Sequence, residues 1–205
     1  MTEHRKFSFK NDINISEIDF TIAKAYIEKY HYTHKMPQAV KVSYGCFYKD
    51  EISGVIVYSI CSNRFAFTSC IENFDQRNGL ELSRMWTEDK CPQNFESCCI
   101  SKSISLLKIK FPQIKAVISY ADPHFGHSGI IYKASNWLCL GKTTPEKRYL
   151  TVDNKIITRR GLGRRMGEIE KTSRERLLRE GAKEFLSEPK YKYLYLLDNK
   201  LKVKL

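Results

Sequence analysis

The 205-residue sequence predicts an α/β protein, a single domain with a mixed central sheet flanked by helices. Three observations predict it. Two apolar runs, VKVSYGCFY and ISGVIVYSI, flank the polar turn Lys49-Asp50-Glu51, which is the pattern of an antiparallel hairpin over residues 40–60. Residues 80–120 then read strand, helix, strand, so the sheet is mixed. The closing run KYKYLYLL supplies a last strand after a charged appendage. Hydrophobic residues make up 42% and charged residues 28%, an ordinary globular balance that excludes wholesale disorder.

Taken in order, the first fifteen residues are basic and irregular, a strand or an arm. Ser16 is expected to open a helix, with Asp19 three residues on and Ile18, Ile22, Tyr26 and Tyr30 on one face. Pro37 forbids its continuation. After the hairpin, residues 63–79 show no firm period and read as a loop with at most one short strand or helical turn. Leu80 to Trp86 alternates and reads as a half-buried strand. A helix follows with the stripe Ile100, Ile104, Leu107 and Phe111, candidate caps Asn94 and Ser97, and Pro112 as its stop. Ala116 to Tyr120 is a short buried strand that Asp122-Pro123 ends. From Gly126 a helical period places Ile130, Ile131, Ala134 and Leu138 on one side and Tyr132 on another, with Asn136 as the left-handed stop. Arg148 to Val152 is a strand. Glu168 to Glu180 is a helix with charge pairs Glu170/Arg174 and Glu175/Arg179 and almost no apolar stripe, closed by Gly181. The arginine-rich loop and this helix, about 155–181, read as an insertion before the last strand of a single domain spanning 1–205.

The charge is unusual. Thirty-five Lys and Arg against 23 Asp and Glu leave +12, which favours a polyanionic partner such as nucleic acid. Residues 142–165 carry eight basic and two acidic residues, so half the excess lies there. Arg148, Arg159, Arg160, Arg164 and Arg165 are the candidate phosphate contacts, against the plainer reading of a solvated charged loop. Seven cysteines without a CxxC spacing fit a reduced cytosolic setting. No signal peptide or apolar run of 18 residues stands out, so no membrane partner is expected.

The stretch SYADPHFGHSGIIYKASNWLCLG concentrates the candidate chemistry. It puts a carboxylate, Asp122, at the carboxyl end of a strand and a phenol, Tyr132, just inside the next helix, where open α/β sheets place ligands. The plainer alternatives are a turn aspartate and a packing tyrosine. His31 and His34, just past the first helix, are a weak metal pair. The start of the 94–111 helix, with Asn94, Ser97 and Ser101, is a candidate anion site beside the reading of a plain capped helix.

These motifs resemble a known family. A strand ending in Asp, then GHSGIIYKASNW and LELSRMW, is similar to the acyl-CoA-dependent N-acyltransferase (GNAT) fold, and within it to the Mom DNA-modification proteins of Mu-like phages, over about His31 to Tyr149. The resemblance implies carbamoylmethylation of the N6 amine of adenine in double-stranded DNA, protection from host restriction, and a phage protein working in the host cytoplasm. It implies acetyl-CoA or a related acyl donor held by Arg84 and Ser97, with Asn94 and Ser101 beside them. Asp122, Tyr132 and His31 fall where the family places catalytic groups, with Asp122 the expected base and Tyr132 the acid. It also brings in iron, for which His31, His34, Asp122 and Tyr132 are the residues at hand. One departure is CPQNFESCC, which has no glycine where the fold carries a Gly-rich pyrophosphate loop. An extruded base is expected to stack on an aromatic such as Tyr32 or Phe125. The rivals are an acyltransferase acting on a protein or small amine, and a non-enzymatic nucleic-acid-binding module. The oligomeric state, a dimer included, is left open.

Overall fold

A computed structural model describes residues 12–158, 162 and 170–204. Arg159, Arg160, Arg164 and Arg165 of the arginine loop lie outside the described residues. Two compact units make up the chain. The first comprises residues up to Ala121, Gly129–Gly141 and Lys192 onward; the second comprises Asp122–Ser128 and Lys142–Tyr191.

The first unit is built on a seven-stranded sheet in the order β1-β2-β3-β4-β5-β10-β6. β1 (Ile13–Glu17), β2 (Val40–Tyr48), β3 (Glu51–Ser59) and β4 (Gly79–Thr87) run antiparallel in succession, and β4 meets β5 (Ala116–Ala121) in parallel. β10 (Tyr191–Leu196) lies between β5 and β6 (Leu138–Lys142), which explains why Tyr193 and Leu194 are both fully buried. The mixed sheet is as the sequence predicts, and so is the 40–60 hairpin. Lys49 and Asp50 turn it with positive φ at both positions, 52° and 68°.

β3 is buried on both faces, and that sorts the helices. Val55 and Val57 pack against Ala23 and Ile27 of α1 (Phe20–Tyr30), while Tyr58, on the opposite face, hydrogen-bonds Ser103 of α2 (Phe95–Lys110) at 2.8 Å. The stripe expected on α2 is the buried one at Ile100, Ile104 and Leu107.

Three expectations are corrected. Ser16 does not open a helix: it belongs to β1, where Ile13 and Ile15 are buried against β2, and α1 begins after Asp19. The buried face of α1 is Ala23 and Ile27, with Ile22 and Tyr30 exposed. Residues 63–79 are, as expected, irregular with one short helical turn, Gln76–Asn78, and Ala66, Phe67, Cys70, Ile71 and Phe74 within them form a core cluster with Ala116, Ile118 and Leu194. The helix expected from Gly126 is only α3 (Ile130–Ala134); Ile130 is exposed and the buried groups are Tyr132 and Trp137. Burying an aromatic ring removes more apolar surface than burying an isoleucine, so the rings take the inside.

The second unit holds a three-stranded sheet, β8 (Ile156–Thr158), β7 (Lys147–Leu150) and β9 (Lys183–Leu186), antiparallel throughout. α4 (Glu170–Arg179) is not the bare charged helix expected: Leu177 is buried with Tyr149, Ile157, Leu162 and Ala182. Arg174 pairs with Glu184 of β9 and Arg176 with Glu180, while the side chain of Glu170, an expected partner, lies outside the described ones.

Candidate active site

The first unit owes its cleft to a parting of strands. Pairing of β4 with β5 runs from Gly79–Ala116 to Glu81–Ile118, although β4 continues to Thr87 and β5 to Ala121. On the other side of β4 the register jumps, Tyr58 facing Leu82 and Val57 facing Arg84, so Ser83 is an extra residue that bends the strand. The two strands therefore separate beyond Glu81.

Ser119 and Tyr132 occupy the start of this split. Ser119 Oγ lies 2.8 Å from the Leu82 carbonyl oxygen and 2.7 Å from Tyr132 Oη. Ser119 donates to Tyr132 Oη and to the Leu82 carbonyl, sharing its one proton between the two acceptors. Tyr132 is 6% exposed, and its ring sits 5.1 Å from Trp137 and 5.0 Å from Tyr193. Burial pushes its hydroxyl up to about 12, against the lowering effect of the Ser119 hydrogen bond, with Tyr32, Glu81 and Tyr193 adding to the rise. The phenol is thus a proton donor at any physiological pH.

Glu81 is a group the sequence reading passed over. It stands at the last paired position of β4 and acts on Tyr132, Arg84 and Cys61. Burial and this carboxylate push the Cys61 thiol up to about 12, which keeps it protonated. Only its tertiary position marks Glu81 out.

Arg84 serves the neighbouring loop. Its Nε donates to the Lys35 carbonyl at 2.9 Å and Nη1 to the Ser83 carbonyl at 2.6 Å, tying residues 31–36 to the bent part of β4. Burial pulls its guanidinium below the usual arginine range, against Tyr32 and Glu81, which raise it. His31 is 5% exposed, and its Nδ1 accepts the Thr33 backbone N–H at 3.1 Å, so the neutral ring carries its proton on Nε2 and is a donor there. His34 instead turns Nδ1–H to the Glu28 carbonyl at 3.0 Å, closing the end of α1. The two histidines thus make separate hydrogen bonds, and among the described residues no group of three or more His, Cys, Asp or Glu that could hold a metal ion is found.

A pocket of about 390 Å³ lies at the start of α2, lined by Asn94, Ser97, Thr87, Ile130 and Ile131 among others. Asn94 holds the N-cap position of α2, as the sequence suggests, and Ser97 does not. Asn94 has φ 66° and makes no side-chain cap bond, and Ser97 Oγ donates back to the Asn94 carbonyl. Ser101 donates to the Ser97 carbonyl one turn further in and does not line the pocket. Glu88, Asp89 and Glu96 line it, with no lysine or arginine among the lining residues. Glu88 is paired with Lys90 at 2.9 Å, and the other two carboxylates oppose a pyrophosphate that the helix N–H groups would otherwise attract. The α2 start therefore does not fit a polyphosphate tail.

In the second unit Asp122 is 4% exposed and fixes a turn: Oδ1 accepts the His124 N–H at 3.2 Å, and its carbonyl accepts from Phe125 and His127. It also has a cation that the sequence reading missed, Lys190, whose Nζ lies 2.8 Å from Oδ2. Thr143 holds the Lys190 backbone at both its N–H and its carbonyl. On β7, Arg148 has a buried Nε with no acceptor among the described residues.

The fold is that of the GNAT N-acetyltransferases. The structure is similar to the ribosomal-protein-S5-alanine acetyltransferase from Vibrio fischeri, with a TM-score of 0.52 and 9% identity over 95% of this chain and 96% of that one. It is similar also to RimL, the ribosomal L7/L12 alpha-N-protein acetyltransferase solved with coenzyme A, with a TM-score of 0.51 and 9% identity over 93% and 97% of the two chains. Within that fold the chain belongs to the Mom protein family, whose model matches residues 12–205. It is 28% identical over 130 residues to the methylcarbamoylase Mom of Escherichia phage Mu, covering 63% of this chain. The match takes in 54% of that relative, so the chain spans about half the length of the curated protein it resembles.

Proposed function

We propose that this protein is a transferase that modifies the N6 amine of adenine in double-stranded DNA, by carbamoylmethylation as in its phage relative, and so shields phage DNA from host restriction in the host cytoplasm. The observation that carries it is Tyr132, a phenol held protonated at the parting of β4 and β5 in a chain of the Mom family. Adenine N6 is a weak nucleophile because its lone pair is shared with the ring. Its proton must leave as the new C–N bond forms, and Asp122 is the proposed acceptor, with Lys190 beside it. Tyr132, whose phenol is protonated at physiological pH, gives its proton to the leaving group. His31, a donor at Nε2, orients rather than abstracts.

The proposed donor is acetyl-CoA or a related acyl thioester: its carbonyl carbon bonds N6 as the thiol leaves, which gives an N6-acyl adenine, and a carbamoylmethyl product requires an amide-nitrogen donor besides. Its arm would lie in the split between β4 and β5, with its phosphates away from the acidic α2 start. Arg148 and the arginines of 159–165 are the proposed contacts to the DNA backbone.

Mass spectrometry of nucleosides from bacteria expressing the protein tests the reading. An adenosine of raised mass is expected, and Asp122→Asn, which keeps the shape, should abolish it. Unmodified adenine from the wild type, with a product in an amine-acetylation screen, would install the general acyltransferase instead.

A further inference from the structure

The end of α1 carries an aromatic stack that neither the core nor the site accounts for. Tyr30 lies flat on Trp86 of β4, with ring centroids 4.7 Å apart and an angle of 14°. Tyr26, one turn back, leans on both rings at 6.0 Å and 5.4 Å. Tyr26 and Trp86 are half-buried against the α1 core cluster, so packing explains them. It does not explain Tyr30, which is 45% exposed and contributes its ring to a stack open to solvent.

The surroundings are cationic. The Lys29 ammonium lies over the Tyr30 ring, 4.8 Å from its centroid, in the place that a stacking base would take as the ammonium moved to a phosphate. Lys35 is exposed on the loop that Arg84 ties to β4, and Arg84 is two residues from Trp86 on the same strand. Tyr32, two residues past Tyr30, acts on both Arg84 and Tyr132, so this surface leads along the chain to the split. Flat rings beside ammonium groups suit a flat aromatic group carried on an anionic backbone, which is the chemistry of a nucleotide.

We propose that Tyr30 and Trp86 form a stacking platform for an unpaired base of the DNA strand next to the target adenine, with Lys29 and Lys35 meeting its phosphates. This rests on the reading of DNA as the acceptor. A ring stack accepts any base face, so the platform supplies affinity and register without sequence preference.

The test is anisotropy of a fluorescein-labelled, mixed-sequence single-stranded DNA 12-mer on the full chain, beside the same 12-mer made abasic. Tyr30→Ala should weaken binding about tenfold, whereas Tyr30→Phe should stay within about twofold of the wild type. The abasic 12-mer should bind the wild type about as weakly as the normal one binds Tyr30→Ala, and base binding should quench tryptophan emission. Circular dichroism checks that the Tyr30 variants fold. Equal binding by Tyr30→Ala, equal binding of the abasic strand, or no binding by the wild type would each overturn the platform. The nucleoside assay separates the two readings. Modified adenosine with Tyr30-independent binding sinks the platform alone, and Tyr30-dependent binding without modified adenosine sinks the adenine reading alone.

Discussion

Lys190 Nζ stands 2.8 Å from Asp122 Oδ2, with the carboxylate buried and the lysine side chain 33% exposed. A carboxylate with that little water needs its cation, since removing one partner of a buried pair leaves an uncompensated charge. The exposure of Lys190 moderates the effect.

Lys190→Met should therefore cost about 1–3 kcal/mol of stability, below the figure for a fully buried pair because solvent screens part of it. Urea unfolding of variant and wild type measures this. A loss under about 0.5 kcal/mol would mark the pair as an ordinary surface contact.

Tyr132→Phe removes the hydroxyl and keeps the ring against Trp137 and Tyr193. Yield of modified adenosine should fall by about two to four decades if the hydroxyl is the acid, and by less than twofold if the ring only packs. Alkaline stability gives a second reading. The hydroxyl titrates at about 12 in the fold, against 10.0 for an unperturbed tyrosine. A raised folded pKa stabilises fully below the unfolded value and is lost as pH rises towards the folded one. Wild-type stability should thus fall from about pH 10 to about pH 12, and more steeply than that of Tyr132→Phe. Parallel curves over that window would mean the phenol is solvated.

The hairpin and α2 were legible because their patterns are long and one-sided. Where the reading failed, a tertiary partner outweighed a local signal. Ser16 with Asp19 looks like a helix start, but alternating Ile13 and Ile15 pair with β2 and take Ser16 into the strand. Residues 63–79 have no period because their buried groups are set by partners on other elements, such as Phe67 beneath Gly79. In the candidate site Asp122 and Tyr132 could be picked out from the strand end and helix start. Ser119, Glu81 and Lys190 could not, since nothing local links Ser119 to Leu82 or Lys190 to Asp122.

Arg84→Ala should loosen the 31–36 loop, because two charge-assisted hydrogen bonds to the Lys35 and Ser83 carbonyls disappear. The expected cost is about 2 kcal/mol, with faster amide exchange in residues 31–36. If Arg84 also holds the donor, calorimetry with acetyl-CoA should show weaker binding by the variant. Unchanged binding alongside a loosened loop would confine Arg84 to the structural role.

Gly129 is the position where the site tolerates no side chain. Its φ is +78°, and a Cβ built there would come within 2.2 Å of the Tyr193 ring and 2.4 Å of its hydroxyl oxygen. Tyr193 is fully buried in β10 and cannot swing away, so the start of α3 would have to lift. That shift would carry Tyr132, three residues on, away from Ser119 and break the chain to the Leu82 carbonyl. Gly129→Ala should cost about 2–4 kcal/mol, combining overpacking with the left-handed backbone, and should cut yield as far as Tyr132→Phe does. Gly129→Ala combined with Tyr193→Ala relieves the clash but keeps the backbone strain. The double variant should recover part of the activity, and if it recovers none while folding, α3 is placed by its backbone conformation rather than by the ring beneath it.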